Sequence, residues 1–494
     1  MAAARASFEV DEAVGVSQQT TTTNETRATR QSVRASLAET FHDTATLLQA
    51  RPGRSVYLAV NEERQETGTS STASTAVNLI TVMVGAGVLS YPALYAKVGV
   101  PLGTMVLGFC APLSCFVCEL LGTTIHNCQL KTGRRMMKLD DVGEACFGRP
   151  GAIAIKVFLN IYFASKVSIY MVLIGLNLNF LLPLFPYRAW VLIMTIYMFP
   201  VAFMRDISLI EKASVLGLVS VFIYFITILC GSAQNTFNGN SAGMDAFLKL
   251  PKSAGVIFSV LTAMLFGFGP TDVLATVRRD MQSPEELPKA LRQSHLVVAV
   301  MYFAAGFLGY IGFGGRVQGN ISESMCDAPG CPSTLEDPSQ AGHKWIWGQG
   351  LAFAVIMNLL VTIPILLYCL FSGIEASYPP EQPMGKVPNA MMRIVVVLFA
   401  MLVGLFVPFF LQTVQIMSAA LVVPIVIFVP VCFAIKSEHL LGRRPSTPTM
   451  LGYLALTVIG VLSLCIGLME AVADLNAAIK ENPSAADPIN NFWK

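Results

Sequence analysis

Tyr162, Lys166 and Tyr170 recur at i, i+4 and i+8 inside a long apolar stretch, so on a helix they share one face. The lysine matters most, because an ammonium in hydrocarbon costs several kcal/mol unless a partner or loss of its proton relieves it. Three roles suit such a group: occupying a cation site, forming a salt bridge with an acidic group, or exchanging a proton during the conformational cycle. A lysine that snorkels or bonds a helix carbonyl for structure alone is the alternative. Asp272, just after one interruption of an apolar run, and Glu119, late in another run, are the other charged residues to watch. Thr362 and Asn78 bring a hydroxyl and an amide to other apolar runs and complete the candidate coupling set of Lys166, Asn78, Thr362 and Asp272.

A second chemistry needs bare backbone. Gly85-Ala86-Gly87 falls in the middle of one apolar run, with Pro92 shortly after, and Phe266-Gly267-Phe268-Gly269-Pro270 interrupts another. A helix that unwinds at such a place frees N–H groups to hold an anion and carbonyls to hold a cation. Small residues also serve close helix packing, which is the competing reading for either run alone. The pair together favours unwinding. A ligand that carries both charges would then place its anionic group on N–H groups near Gly85 to Gly87 and its cationic group near the carbonyls of the second break. Tyr170, Phe266 and Phe268 would close the site around it.

The elements that must position these groups follow from composition. Of 494 residues, 54% are apolar and 13% charged, where a soluble domain carries roughly 25% charged. The mean hydropathy is +0.60, so lipid is the expected solvent. A net charge of +2 lacks the concentrated basic excess of a nucleic-acid reader. A spanning helix needs ~20 mostly apolar residues. Eleven such stretches predict an all-α polytopic membrane protein: Thr75–Tyr95, Pro101–Leu121, Ala152–Leu182, Ala189–Met204, Ala213–Ser232, Gly255–Val277, Leu296–Phe313, Ile346–Phe371, Met391–Leu411, Val414–Ile435 and Met450–Met469. The two interruptions lie five spans apart. An odd-numbered unit inverts in the membrane, so spans one to five and six to ten are expected to form a 5+5 inverted repeat with a peripheral eleventh helix.

Lys and Arg crowd alternate loops, with Lys131, Arg134, Arg135, Lys138 and Arg149 after the second span and Arg278, Arg279, Lys289 and Arg292 after the sixth. Cytoplasmic loops retain such charge, so the N-terminus is expected in the cytosol and the C-terminus on the other side. Plasma membrane and vacuolar or lysosomal membrane give the same topology. Residues 1–73, rich in Ser, Thr and Gln, read as a disordered cytosolic tail, 74–470 as the membrane domain, and 471–494 as a short non-cytosolic tail. The loop after the seventh span holds the sequon Asn320-Ile321-Ser322, a glycosylation candidate, and Cys326 with Cys331, which form a disulfide or remain free thiols. The five histidines are scattered without metal-ligand spacing, and no phosphate-binding Gly-Lys-Ser/Thr motif occurs. The expectation is therefore no enzyme, no metal and no cofactor, with a proton or sodium gradient or facilitated flow as the driving force.

The segment Asn78-Leu-Ile-Thr-Val-Met-Val-Gly-Ala-Gly-Val-Leu-Ser-Tyr-Pro92 resembles the opening signature of the amino acid/auxin permease family. Phe147-Gly148-Arg149-Pro150-Gly151, Thr362-Ile363-Pro364 and the stretch from Val407-Pro408-Phe409 to Ile425 are similar to later phrases of that family, so the likeness runs over about 75–470. It implies the inverted-repeat fold of the bacterial leucine transporter type and an amino acid substrate. Gly269-Pro270 departs from the pattern, because many relatives carry an acidic residue and Gly there. The rivals are an amino acid sensor or scaffold that signals through the N-terminal tail, and an ion channel; paired broken helices speak against the channel.

Overall fold

The structure, a computed structural model, describes residues 68–204, 208–237, 247–325, 346–375, 378 and 384–481, with 208–215 and 218 described in backbone only. The candidate disulfide Cys326–Cys331 and the tail up to residue 67 lie outside the described residues.

The described chain is helical: α1 Thr72–Met83, α2 Tyr91–Val98, α3 Val100–Thr132, α4 Leu139–Leu181, α5 Tyr187–Ala202, α6 Ser208–Phe237, α7 Ala254–Gly267, α8 Leu274–Asp280, α9 Leu287–Phe313, α10 Ile346–Glu375, α11 Lys386–Phe406, α12 Phe410–Leu440 and α13 Thr447–Glu481. Among the described residues eight helices are long and apolar enough to cross a membrane, or nine if the bent pair α1 and Ala86–Val98 counts as one span. α5 and α7 are apolar but shorter. These two fall where the fourth and sixth predicted spans were placed. The sixth reads as one run in hydropathy, but Gly269-Pro270 divides it into helices of 14 and 7 residues.

Lipid as solvent is written into α11. Its buried residues include Asn389 and Arg393, while Val395, Phe399 and Leu402 are exposed. That inverts the pattern of a helix in water, where the polar face is the solvated one. The buried Arg393 is held from several helices: Nη2 donates to Glu375 Oε1 at 2.5 Å, Nε to Asn389 Oδ1 at 2.5 Å, and Nη1 to the Ala202 carbonyl. Its guanidinium lies 4.6 Å from the centre of the Phe371 ring.

α9 packs against α1, α2, α3 and α6, which places it beside both halves of the first broken span. α10 packs on α6 and α4, α7 on α13 and α3, and α11 on α4 and α5. One end of the bundle is basic. There Arg135 Nη2 donates to the Arg279 carbonyl at 2.6 Å, Arg278 Nη1 to Gln129 Oε1 at 2.6 Å, and Arg292 grips Glu119 through two bonds of 2.6 and 3.1 Å. Glu119 therefore belongs to an ion pair at the edge of α3. At the opposite end Lys97 pairs with Asp474 and donates to Gln415 Oε1 at 3.2 Å, and Gln415 Nε2 donates to Ser259 Oγ at 2.7 Å, linking α2, α12, α7 and α13.

Candidate functional site

Both glycine-rich runs are interrupted helices. α1 ends at Met83, Val84 turns to φ −78° and ψ 86°, and Gly85 is extended at φ −121° and ψ −155°. A tight turn, Ala86–Ser90, follows, and α2 resumes with Pro92 in its first turn, where the missing N–H costs no bond. The axis bends by 48° across the break. In the second run Phe268 closes α7, Gly269 sits at φ −98° and ψ 74°, and Pro270–Asp272 form one tight turn before α8.

The carbonyls released by unwinding are taken by hydroxyls from neighbouring helices. Tyr302 Oη lies 2.6 Å from the Met83 carbonyl and 3.2 Å from that of Gly267, so one phenol on α9 touches both breaks. Tyr224 Oη donates to the Val84 carbonyl at 3.4 Å, and Ser114 Oγ to that of Phe268 at 2.5 Å. The N–H groups that open the turn Ala86–Ser90 have, as at any helix start, no partner within their own turn. The first break thus offers donors and withholds acceptors.

The two runs face one another through aromatic walls. A side chain at Gly87 would meet the Phe266 ring at 3.2 Å, and one at Gly85 would meet Tyr170 Oη at 3.5 Å. Gly267 is held bare by Tyr302, whose ring atom a Cβ there would meet at 2.6 Å. Phe268 is fully buried, edge-on to Tyr302 at 5.2 Å and stacked on His295 at 6.2 Å. Phe266 rather than Phe268 is therefore the ring against Gly87.

Lys166 and Asp272 meet. Nζ stands 3.5 Å from Asp272 Oδ2, with side-chain exposures of 15% and 4%, and lies 4.5 Å from the centre of the Tyr162 ring and 5.9 Å from that of Phe266. The periodic Tyr162, Lys166, Tyr170 face of α4 therefore looks onto both breaks. Asp272 Oδ1 and Thr271 Oγ1 are buried and make no hydrogen bond among the described residues. A cavity of about 140 Å³ lined by Asp140, Lys156, Asn160, Asp272, Cys369 and Ser372 reaches Asp272. A larger one of about 650 Å³ lies at the opposite end, where Lys97, Lys249, Lys252, Glu323 and Asp474 line it. Burial pushes the Glu323 carboxyl up to about 7, against a smaller opposing pull from a hydrogen bond to Asn320.

Three expected residues stand apart from this constellation. Asn78 is exposed on α1, whose buried face is Thr75, Ala76, Leu79 and Met83; one hundred degrees per residue carries the amide away from that face and from the Lys166–Asp272 pair. Thr362 Oγ1 donates to the Asn358 carbonyl of its own helix at 2.8 Å, which uses its proton locally. Asn320 is 1% exposed and its Oδ1 accepts from Ser322 N–H at 3.2 Å.

The family described as "Transmembrane amino acid transporter protein" matches residues 68–473, a stretch that contains both breaks and the Lys166–Asp272 pair. The chain belongs to this family. It is a multi-pass membrane transporter and not an enzyme. Curated relatives include amino acid transporter AVT1E of Arabidopsis thaliana, 22% identical over 83% of this chain and 74% of that protein, and AVT1B, 23% identical over 87% and 76%. Vacuolar amino acid transporter 4 of Saccharomyces cerevisiae is 23% identical over 51% of this chain and 35% of its own length. Among solved structures, MhsT in complex with L-phenylalanine aligns with 82% of this chain and 99% of its own at 13% identity and a TM-score of 0.48.

Tyr302, Tyr224, Ser114 and His295 of the transporter were not singled out from sequence. The signal was there for the tyrosines: a phenol deep in an apolar run needs a partner for its O–H, and the acceptors it finds here are the carbonyls that two broken helices release.

Proposed function

We propose that the chain is a secondary transporter of amino acids that works by alternating access, with substrate held between the two breaks. The observation that carries this reading is the meeting of both interruptions at one aromatic-walled place, with Tyr302 touching a carbonyl of each. The substrate carboxylate lies on the N–H groups of Ala86 and Gly87, within the Gly85 to Gly87 stretch, where the start of a helical turn favours negative charge. Its amino group lies toward the Pro270–Asp272 turn, where Thr271 Oγ1 and Asp272 Oδ1 have bonding capacity to spare. Phe266 and Tyr170 bound the side-chain pocket and Tyr302 positions the unwound backbone.

Lys166 supplies coupling. Its ammonium neutralises Asp272 from within the protein, a task that a sodium ion would otherwise perform, and a proton moving through this pair is the coupling ion. Spans one to five and six to ten form the inverted repeat, α13 is peripheral, and the basic end faces the cytosol, following the charge bias of the loops. Uptake and counterflow across a panel of amino acids in proteoliposomes test the reading. Saturable, stereoselective flux of at least one amino acid is expected; no substrate-dependent flux for any of them would overturn it. A sensor that signals through residues 1–73 would bind substrate without moving it.

A further inference from the structure

We propose that Thr69–Ser71 form a latch that holds the two broken spans together at the basic end, and that the transporter must unzip it to release substrate there. The proposal rests on the alternating-access reading above. Ser70 N–H donates to the Asp280 carbonyl at 2.9 Å and Gln282 N–H to the Ser70 carbonyl at 2.9 Å, making a parallel bridge between Ser70 and Met281, the one β-bridge among the described residues. Gln282 Nε2 adds a bond to the Thr69 carbonyl at 3.0 Å, and Thr72 Oγ1 bonds the Glu286 carboxylate.

The place of this bridge gives it leverage. Its first strand runs straight into α1, because Ser71 caps that helix by accepting the Ser74 N–H at 3.2 Å. Its second strand leaves α8, the half-helix after the other break. One short clip therefore ties the free ends of the two half-helices that flank the site on this side. The two partners are anchored by different means, α1 by packing on α9 and α8 by polar bonds. α8 is fixed to its neighbours by Arg278 with Gln129, by Thr276 Oγ1 on the Met137 carbonyl at 3.2 Å, and by Arg135 on the Arg279 carbonyl, while Met281 is only 1% exposed. α1 carries exposed Val77, Asn78 and Val82 on one side and stops at the break after 12 residues. Unzipping frees α1 to swing about Val84–Gly85 while α8 stays.

The wild-type protein already carries a reporter, since Cys369 lines the 140 Å³ cavity that reaches Asp272. In the full-length protein reconstituted in vesicles, Ser70→Pro deletes the N–H that bonds Asp280 and leaves the Ser71 cap. Alkylation of Cys369 by a membrane-impermeant maleimide from the basic side, read by peptide mass spectrometry, should then accelerate at least fivefold. In a second variant, Thr69→Cys with Gln282→Cys, both sites being exposed, a short reducible thiol cross-linker should stop net amino acid flux, and reduction should restore it. Unchanged Cys369 labelling in folded Ser70→Pro, or wild-type flux in the cross-linked pair, overturns the latch. If Ser70→Pro does not fold, the cross-linked pair decides. If even the wild type moves no amino acid, the transport reading fails, and Cys369 labelling still judges the latch by itself.

Discussion

The two broken spans solve the same problem with opposite materials. At the first break the interruption is glycine and alanine, no charge enters, and the freed carbonyls of Met83 and Val84 are covered by Tyr302 and Tyr224. What remains open is a set of N–H donors. At the second break a proline removes a donor, and a carboxylate, Asp272, follows two residues later against Lys166. What remains open there is acceptor capacity on Thr271 and Asp272. On the transport reading proposed above, one break receives the anionic and the other the cationic group of a zwitterion. The contrast also says why Lys166 lies on α4: an unpaired carboxylate at that depth would be costly, whereas an uncharged glycine break needs no such partner.

The sharpest way to break this contrast is to put a side chain on the uncharged break. Gly87→Leu sets its Cβ against Phe266 and fills the approach to the backbone, so flux should fall below detection with folded protein retained. Normal flux in that variant would remove the first break from the site. The charged break is tested next by Lys166→Met, which keeps the volume and removes the ammonium. Substrate counterflow should persist while net flux, normalised to folded protein, loses its dependence on pH; an unchanged pH profile with less folded protein would make the lysine structural. Smaller still is Tyr302→Phe. Ring packing against Tyr91, 4.3 Å between centres, is kept, and only the shared hydroxyl goes. Half-saturation should rise roughly tenfold, or ~1.4 kcal/mol, with little change in maximal rate, and equal half-saturation in both proteins would show that the hydroxyl positions nothing.

The two breaks were legible because glycine and proline act locally, through φ, ψ and a missing N–H, and such effects survive in one dimension. Lys166 was legible because a charge in hydrocarbon is rare, and its face because helical periodicity is fixed. Its partner was less so: Asp272 is far away in sequence, and only the packing of the second break onto α4 brings it to 3.5 Å. The face of Asn78 was not legible because a polar residue in an apolar run looks equally interior on either face until neighbours choose one. Tyr302 and Ser114 were missed for a related reason, since the acceptors they serve exist only after two other helices unwind. At α7 and α8 hydropathy averages across the Gly269-Pro270 stop that the backbone obeys, so one apolar run holds two short helices.

Whether substrate lies between the breaks is most directly measured at Ala86, the 5% exposed residue between the two glycines. In Ala86→Cys, alkylation by a small thiol reagent, followed at that residue by peptide mass spectrometry, should slow at least fivefold when a transported amino acid is present at saturation, while the exposed Cys432 reacts at an unaltered rate. A labelling rate at position 86 that saturating substrate leaves untouched would contradict the placement of substrate at the two breaks.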